Sequence, residues 1–119
     1  MAEGFANHYG KSWLIAHSAG TSAVGFIMPN TIQAMQEKGI DVSRQSSKGF
    51  RDVDLKAMDW IVVMEPALAE LVPKSSPNAE KIIWLIPDPV GQSLDVYRKV
   101  RDQIELEVVQ FLDIVRKST

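Results

Sequence analysis

The sequence predicts an α/β fold: one domain, residues 1–119, built on an open, mostly parallel sheet with helices on both faces, in three layers. Three observations support this prediction. Helical and strand-like patterns alternate along the chain, and two short segments are apolar at successive positions, as strands buried on both faces are. The composition, 45% hydrophobic and 24% charged in 119 residues, is that of an ordinary globular domain with one core.

The first half of the chain contains two predicted helices and one predicted strand. Apolar residues at helical spacing predict a helix over residues 2–9, which Gly10 is placed to end. The apolar run at 13–16 leads into small, turn-forming residues and predicts the first strand. A second helix is expected over 29–39, between a proline and a glycine, and an irregular polar segment over 41–50.

The second half contains the two runs of successive apolar residues, 60–64 and 82–86. Residues 60–64 and 81–86 are predicted to be strands, the second ending at prolines, which cannot donate to a ladder. Between them we expect a short helix at 66–71 and a loop at 73–77. A long helix is predicted to begin at Ser93, its N-cap, and to bury one apolar stripe. The residues predicted in the stripe are Leu94, Tyr97, Val100 or Arg101, Ile104, Val108, Phe111 and Val115.

Several side chains fit ordinary structural roles. Opposite charges four residues apart on the long helix predict ion pairs on a solvated face, each worth about 0.2–0.5 kcal/mol. The pairs are Asp95–Lys99, Arg98–Asp102 and Arg101–Glu105. His8 and His17 lack partners at ligand spacing, so exposed roles are expected and no metal site is. The methionines expected to fill the core are Met28, Met35, Met58 and Met64.

The composition argues against several function classes. Lys and Arg number 13 and Asp and Glu 15, so the formal net charge of −2 gives no basic surface for nucleic acid. No apolar stretch reaches the roughly 18 residues that span a bilayer, and no signal peptide is visible, so we expect no membrane partner and a cytoplasmic location. The chain has no cysteine, which excludes disulfides, thiolate metal sites and thiol nucleophiles; no cofactor is expected.

The element order has one irregularity, because doubly wound folds begin with a strand and this chain begins with a helix. Motifs occur in this order: Met1-Ala2-Glu3-Gly4-Phe5-Ala6 with Tyr9-Gly10; Ser18-Ala19-Gly20-Thr21; Met35-x-Glu37-x-Gly39-Ile40-Asp41 with Ser43 and Ser47-Lys48; Asp88-Pro89; and Val100-Arg101-Asp102-x-Ile104. Over essentially the whole chain they resemble the low-molecular-weight protein tyrosine phosphatases and the arsenate reductases that share their fold, with the arsenate reductase branch nearer. The resemblance implies a flavodoxin-like sheet.

In that family, the motif resembling Met1–Gly4 follows a central strand and a Cys-x5-Arg-Ser loop that grips an oxyanion. The resemblance therefore implies an N-terminally truncated domain that lacks this strand, the nucleophile and the phosphate loop. It places Asp88 at the general-acid position, Pro89 in the turn that holds it, and Ser18 at the serine that steadies the loop. The residues alone favour a turn-forming or helix-entry role for Asp88 and a cap on local backbone for Ser18.

The implied function is phosphate-monoester or arsenate oxyanion chemistry, with this chain inactive because the cysteine and its loop are absent. A phosphate-like oxyanion is expected to bind only if the loop is restored. The arsenate reductase branch also needs cysteines after the middle strand, and residues 62–73 contain none, so restoration favours phosphatase chemistry. The alternative is a non-catalytic binding or regulatory module on the same fold.

Loss of that strand also has a structural consequence. In the family it lies between the strands that match residues 13–17 and 60–64, so its removal leaves two unpaired edges and uncovered apolar side chains. Self-association into a homodimer or higher oligomer is therefore expected.

Overall fold

The computed structural model describes residues 1–18, 27–45, 58–64 and 79–117. In chain order the elements there are α1 (Ala2–Tyr9), α2 (Pro29–Gln36), β1 (Trp60–Val63), β2 (Glu80–Ile83) and α3 (Leu94–Lys117). The helix expected at 66–71, the loop at 73–77 and the last part of the polar segment, 46–50, lie outside the described residues.

The two strands pair side by side and parallel, with Trp60 opposite Glu80 and Val63 opposite Ile83. The Trp84 N–H extends the ladder by donating to the Val63 carbonyl at 2.9 Å. This pairing, with helices before the first strand and after the second, confirms the α/β class. The second strand ends before the predicted residue 86 because β1 itself ends at Val63 and offers no further partner among the described residues.

The prediction of a strand over residues 13–16 is wrong. Residues 11–13 form a turn in which the Trp13 and Leu14 N–H groups donate to the Gly10 carbonyl at 3.0 and 2.8 Å. Residues 14–18 are irregular, and no strand lies alongside them in the described part of the chain. Their apolar character serves the core instead, since Leu14 and Ala16 pack against it.

The first two helices follow the predictions closely. Gly10 is the C-cap residue of α1, with φ of −107°. Pro29 occupies the first turn of α2, where its missing N–H costs no helical bond. The predicted span of α2 was three residues too long: the helix ends at Gln36, and a turn follows to Gly39, whose φ of +74° favours glycine. Both helices pack against α3.

The core lies where α1, the segment after α2 and the stripe of α3 meet. Its fully buried large side chains are Phe5, Met35, Val42 and Val108. Met35 is thus the methionine that lies wholly in the core, whereas Met28, Met58 and Met64 are half-buried. Gly4 permits the close approach of α1, because a Cβ there would lie 2.8 Å from Val42 Cγ1.

The long helix α3 confirms its predicted start and most of its predicted stripe. Leu94 and Phe111 are half-buried, and Leu112 is buried although it was not predicted to be. The Val96 N–H donates to Ser93 Oγ at 3.4 Å, a long N-cap bond. The buried residues of the stripe are Tyr97, Val100, Arg101, Ile104, Val108, Leu112 and Val115. Although α3 has 24 residues, neither it nor another described helix is apolar enough to cross a membrane.

Among the described residues, the charges of α3 do not form the three predicted pairs; within the helix they pair as Asp95–Arg98, Arg101–Asp102 and Asp113–Lys117. Two of the arginines also pair with the end of α2. Glu37, at the end of α2, lies 2.8 Å from Arg98 Nη2 and 2.7 Å from Arg101 Nη1. Arg101 is 8% exposed and also donates to the Ala34 carbonyl at 2.9 Å, so it is buried and not solvated. The hydrogen bond from Arg98 is the largest cause that lowers the pKa of Glu37 to about 2, with Arg101 adding to it. Spacing along the sequence reveals only pairs within one helix, whereas Glu37 lies at the end of a different helix that packs against α3.

Candidate functional site

The loop between β2 and α3 holds Asp88 in a fixed turn. Asp88 is exposed, and its Oδ1 accepts the Val90 N–H at 3.0 Å. The Gln92 N–H donates to the Pro89 carbonyl at 2.9 Å, and Gly91, with φ of +83°, lets the chain turn towards α3. The turn-forming role considered for Asp88 is therefore real. Within the described residues its Oδ2 has no hydrogen-bond partner, so one carboxylate oxygen is held and the other is unbonded.

Tyr97 of α3 lies close enough to Asp88 for the carboxylate charge to act on the phenol. The Tyr97 side chain is 3% exposed, and burial, followed by the negative charge of Asp88, raises the pKa of its phenol. The phenol therefore stays protonated near the carboxylate. From the sequence, Tyr97 was predicted only as part of the buried stripe. The signal that could have identified it is a hydroxyl-bearing aromatic residue one turn into the helix that follows the Asp-Pro pair.

Ser18 lies at the other candidate position, where α1 contacts the segment 14–18. The Ser18 N–H donates to Glu3 Oε1 at 2.9 Å, and Glu3 is 8% exposed. Ala16, two residues before Ser18, is bonded to Asn7: Asn7 Nδ2 donates to the Ala16 carbonyl at 3.1 Å, and the Ala16 N–H donates to Asn7 Oδ1 at 2.8 Å. These side chains of α1 were not predicted as site residues, because no local pattern reveals which backbone a helix face will meet.

The predicted site residues fall into two groups. Asp88 and Pro89 share one turn, and Ser18 is held by α1; no contact joins the groups in the part of the chain that the structure describes. His8 and His17 are exposed, as expected. Among the described residues, no three His, Asp or Glu side chains cluster in a way that could hold a metal ion. Chemically, the arrangement offers a carboxylate able to exchange a proton and a separately positioned hydroxyl.

Comparisons with known proteins cover nearly the whole chain. The family model described as low molecular weight phosphotyrosine protein phosphatase matches residues 1–119. Arsenate reductase 2 of Staphylococcus saprophyticus is 34% identical over 114 residues, which are 95% of this chain and 86% of the relative. An arsenate reductase of Halalkalibacterium halodurans is 34% identical over 120 residues, with 95% and 85% covered.

Solved structures show the same likeness. An arsenate reductase in the reduced state superposes with a TM-score of 0.83 at 30% identity, covering 96% of this chain and 86% of the other. A protein tyrosine phosphatase superposes with a TM-score of 0.83 at 19% identity, covering 99% and 87%, which shows the shared fold alone. The chain therefore belongs to the low-molecular-weight phosphotyrosine protein phosphatase family, on the side of its arsenate reductase branch.

Proposed function

We propose that this fold serves the family's oxyanion chemistry through Asp88, and that the 119-residue chain, taken by itself, does not complete the reaction. One observation carries the first part: an exposed carboxylate follows β2 with Oδ1 bonded to the Val90 N–H. In this arrangement the unbonded Oδ2 can give a proton to a leaving oxygen and later take one from water.

The second part rests on the absence of cysteine from the sequence. The family step that the resemblance implies begins with a thiolate attacking the phosphorus or arsenic atom, and the general acid protonates the oxygen that leaves. General acid catalysis contributes about 10²–10⁴-fold on its own but does not supply a nucleophile. The same absence argues against arsenate reduction, which needs thiols as the electron source.

The direct test assays the purified chain with p-nitrophenyl phosphate and, separately, with arsenate and a thiol reductant. The expected result is product formation at the buffer rate in both assays. Turnover well above that rate, abolished by Asp88→Asn, would overturn the prediction of inactivity.

The role of Asp88 is tested by restoring what the reaction needs. A fusion that places a strand and a Cys-x5-Arg-Ser loop ahead of Met1 is expected to hydrolyse p-nitrophenyl phosphate. In that fusion, Asp88→Asn keeps an oxygen for the Val90 N–H and should lower kcat about 10²–10⁴-fold. The matched control is Asp95→Asn, which removes another exposed carboxylate of the same region and should leave kcat unchanged. A restored activity that is insensitive to Asp88→Asn would refute its role.

A second function, a non-catalytic binding or regulatory module, is favoured by the same lack of cysteine in a chain that otherwise matches the family throughout. Complementation of a deletion strain separates the two. A binding module predicts that wild type and Asp88→Asn restore the phenotype equally, whereas a catalytic role in the cell predicts that Asp88→Asn does not.

Self-association is part of the proposal. It is supported by large apolar side chains that are exposed in the single chain: Ile15 at 80%, Leu85 at 80% and Ile83 at 55%. Light scattering is expected to give a mass of at least two chains, and Leu85→Glu should shift it towards one. A monodisperse monomer at all concentrations would refute self-association.

A further inference from the structure

We infer that Asn7 is a positioning residue: with Glu3 it forms a ladder of side chains on α1 that fixes the backbone of residues 14–18 and, through it, Ser18. The inference rests on the proposed function, within which the family resemblance implies that Ser18 steadies the oxyanion-binding loop. Its geometry stands on the three hydrogen bonds that join α1 to this segment.

The spacing of these bonds matches a helix to an extended chain. Glu3 and Asn7 are four residues apart on one face of α1, a rise of about 6.0 Å. Their partners, Ser18 and Ala16, are two residues apart, and an extended chain rises about 6.6 Å over two residues. Because Asn7 meets residue 16 and Glu3 meets residue 18, the helix face runs antiparallel to the segment. The helix thus supplies the hydrogen bonds that a neighbouring strand would otherwise provide.

Asparagine suits this position because its carboxamide carries a donor and an acceptor side by side. The Nδ2 group donates to the Ala16 carbonyl and Oδ1 accepts the Ala16 N–H, so both backbone groups of one residue are satisfied. The orientation of the amide follows from its partners, since turning it over would break both bonds. Asn7 and Ala16 are half-buried, and water replaces lost bonds there less readily than at an exposed site.

The functional consequence concerns Ser18, which lies two residues after Ala16. The Ser18 N–H has Glu3 as its partner, while the N–H groups of Ile15 and His17 have no hydrogen-bond partner within the described residues. Two bonded positions alternate with two unbonded ones, as along the edge of a sheet. Loss of the Ala16 anchor leaves Ser18 held through Glu3, so its hydroxyl should sample a wider range of positions.

The test measures amide hydrogen exchange by NMR on the 119-residue chain. Asn7→Leu is close in size and removes both bonds, so protection of the Ala16 amide should fall about tenfold, to the level of Ile15, with a smaller loss at Ser18. Asn7→Asp keeps the acceptor for the Ala16 N–H, so the Ala16 amide should stay protected. A role in packing alone predicts the reverse, because leucine keeps the volume and aspartate introduces a charge.

Two further readouts complete the test. The Trp84 amide, bonded to the Val63 carbonyl, reports on the sheet and should keep its protection in both variants. Asn30→Asp introduces the same charge on α2 and should leave the Ala16 and Ser18 amides unchanged. Unchanged Ser18 protection in Asn7→Leu, or an equal loss at Trp84, would overturn the positioning role. None of these measurements depends on turnover, so failure of the proposed function would be seen separately.

Discussion

Replacing Gly4 by alanine should destabilise the protein, although the same change in an exposed helix would stabilise it. The intrinsic helix preference of alanine over glycine contributes about 1 kcal/mol in favour of folding. Against it stands the contact that a Cβ would make, 2.8 Å from Val42 Cγ1 and 3.2 Å from Met35 Cε. Val42 is 1% exposed and Met35 is fully buried, so neither side chain can move into solvent.

The contact decides the sign of the effect. Overpacking a well-filled core costs about 1–3 kcal/mol, and a rigid β-branched neighbour places this site in the upper half of that range. The expected net loss is about 1–2 kcal/mol in the free energy of unfolding. Urea denaturation followed by tryptophan fluorescence measures it.

A double-mutant cycle with Val42→Ala isolates the contact. Val42→Ala removes the atom nearest to the new Cβ, so the double variant should be more stable than the sum of the two single changes predicts, by about 1 kcal/mol or more. Stabilisation by Gly4→Ala alone, or strict additivity in the cycle, would refute the close approach of α1 to this part of the core.

The remaining predictions concern α3 and its partners. The pKa of Glu37 is lowered to about 2, so the stability that its ion pairs supply is present above about pH 4.5 and lost as pH falls towards 2. Glu37→Gln should therefore make the melting temperature depend less on pH over that range. The same dependence of melting temperature on pH in variant and wild type would contradict this. Arg101→Met leaves the Ala34 carbonyl and Glu37 without their buried donor and should cost about 1–3 kcal/mol in urea denaturation, and equal stability of variant and wild type would contradict it. Ser93→Ala should cost about 0.5 kcal/mol, the lower end for an N-cap because the bond is long, and Ser93→Asp should restore it; a larger loss would mean that the cap is tighter than 3.4 Å.

The helices could be predicted from the sequence because their signals are local. Apolar residues at helical spacing, Pro29 at the start of α2 and Ser93 before α3 act within a few residues of where they lie. The prediction of a strand at 13–16 failed because a strand is defined by the strand beside it, which local composition does not reveal. The run has the composition of a strand, but the backbone of Ala16 is bonded by the Asn7 side chain instead.

The candidate site likewise contains residues that a local signal reveals and residues whose roles depend on the folded chain. Asp88 and its turn are visible in the sequence, since an aspartate before a proline at the end of an apolar run is a local signal. Asn7 carries no such signal, because its role depends on which residues the folded chain brings beside it. The partner of Arg101 could not be predicted for the same reason: Glu37 is 64 positions away.

The packing of α1 on α3 bears on how the chain folds as it is made. Tyr9 donates its hydroxyl hydrogen to Glu105 Oε2 at 2.8 Å across a separation of 96 positions. A ribosome synthesises residues in order, at about 5–20 per second, so α1 must wait several seconds for the helix that covers its apolar face. During that interval the face of α1 that carries Phe5 is open to chaperones and to other nascent chains. Yield in the cell should therefore depend on how quickly α3 emerges.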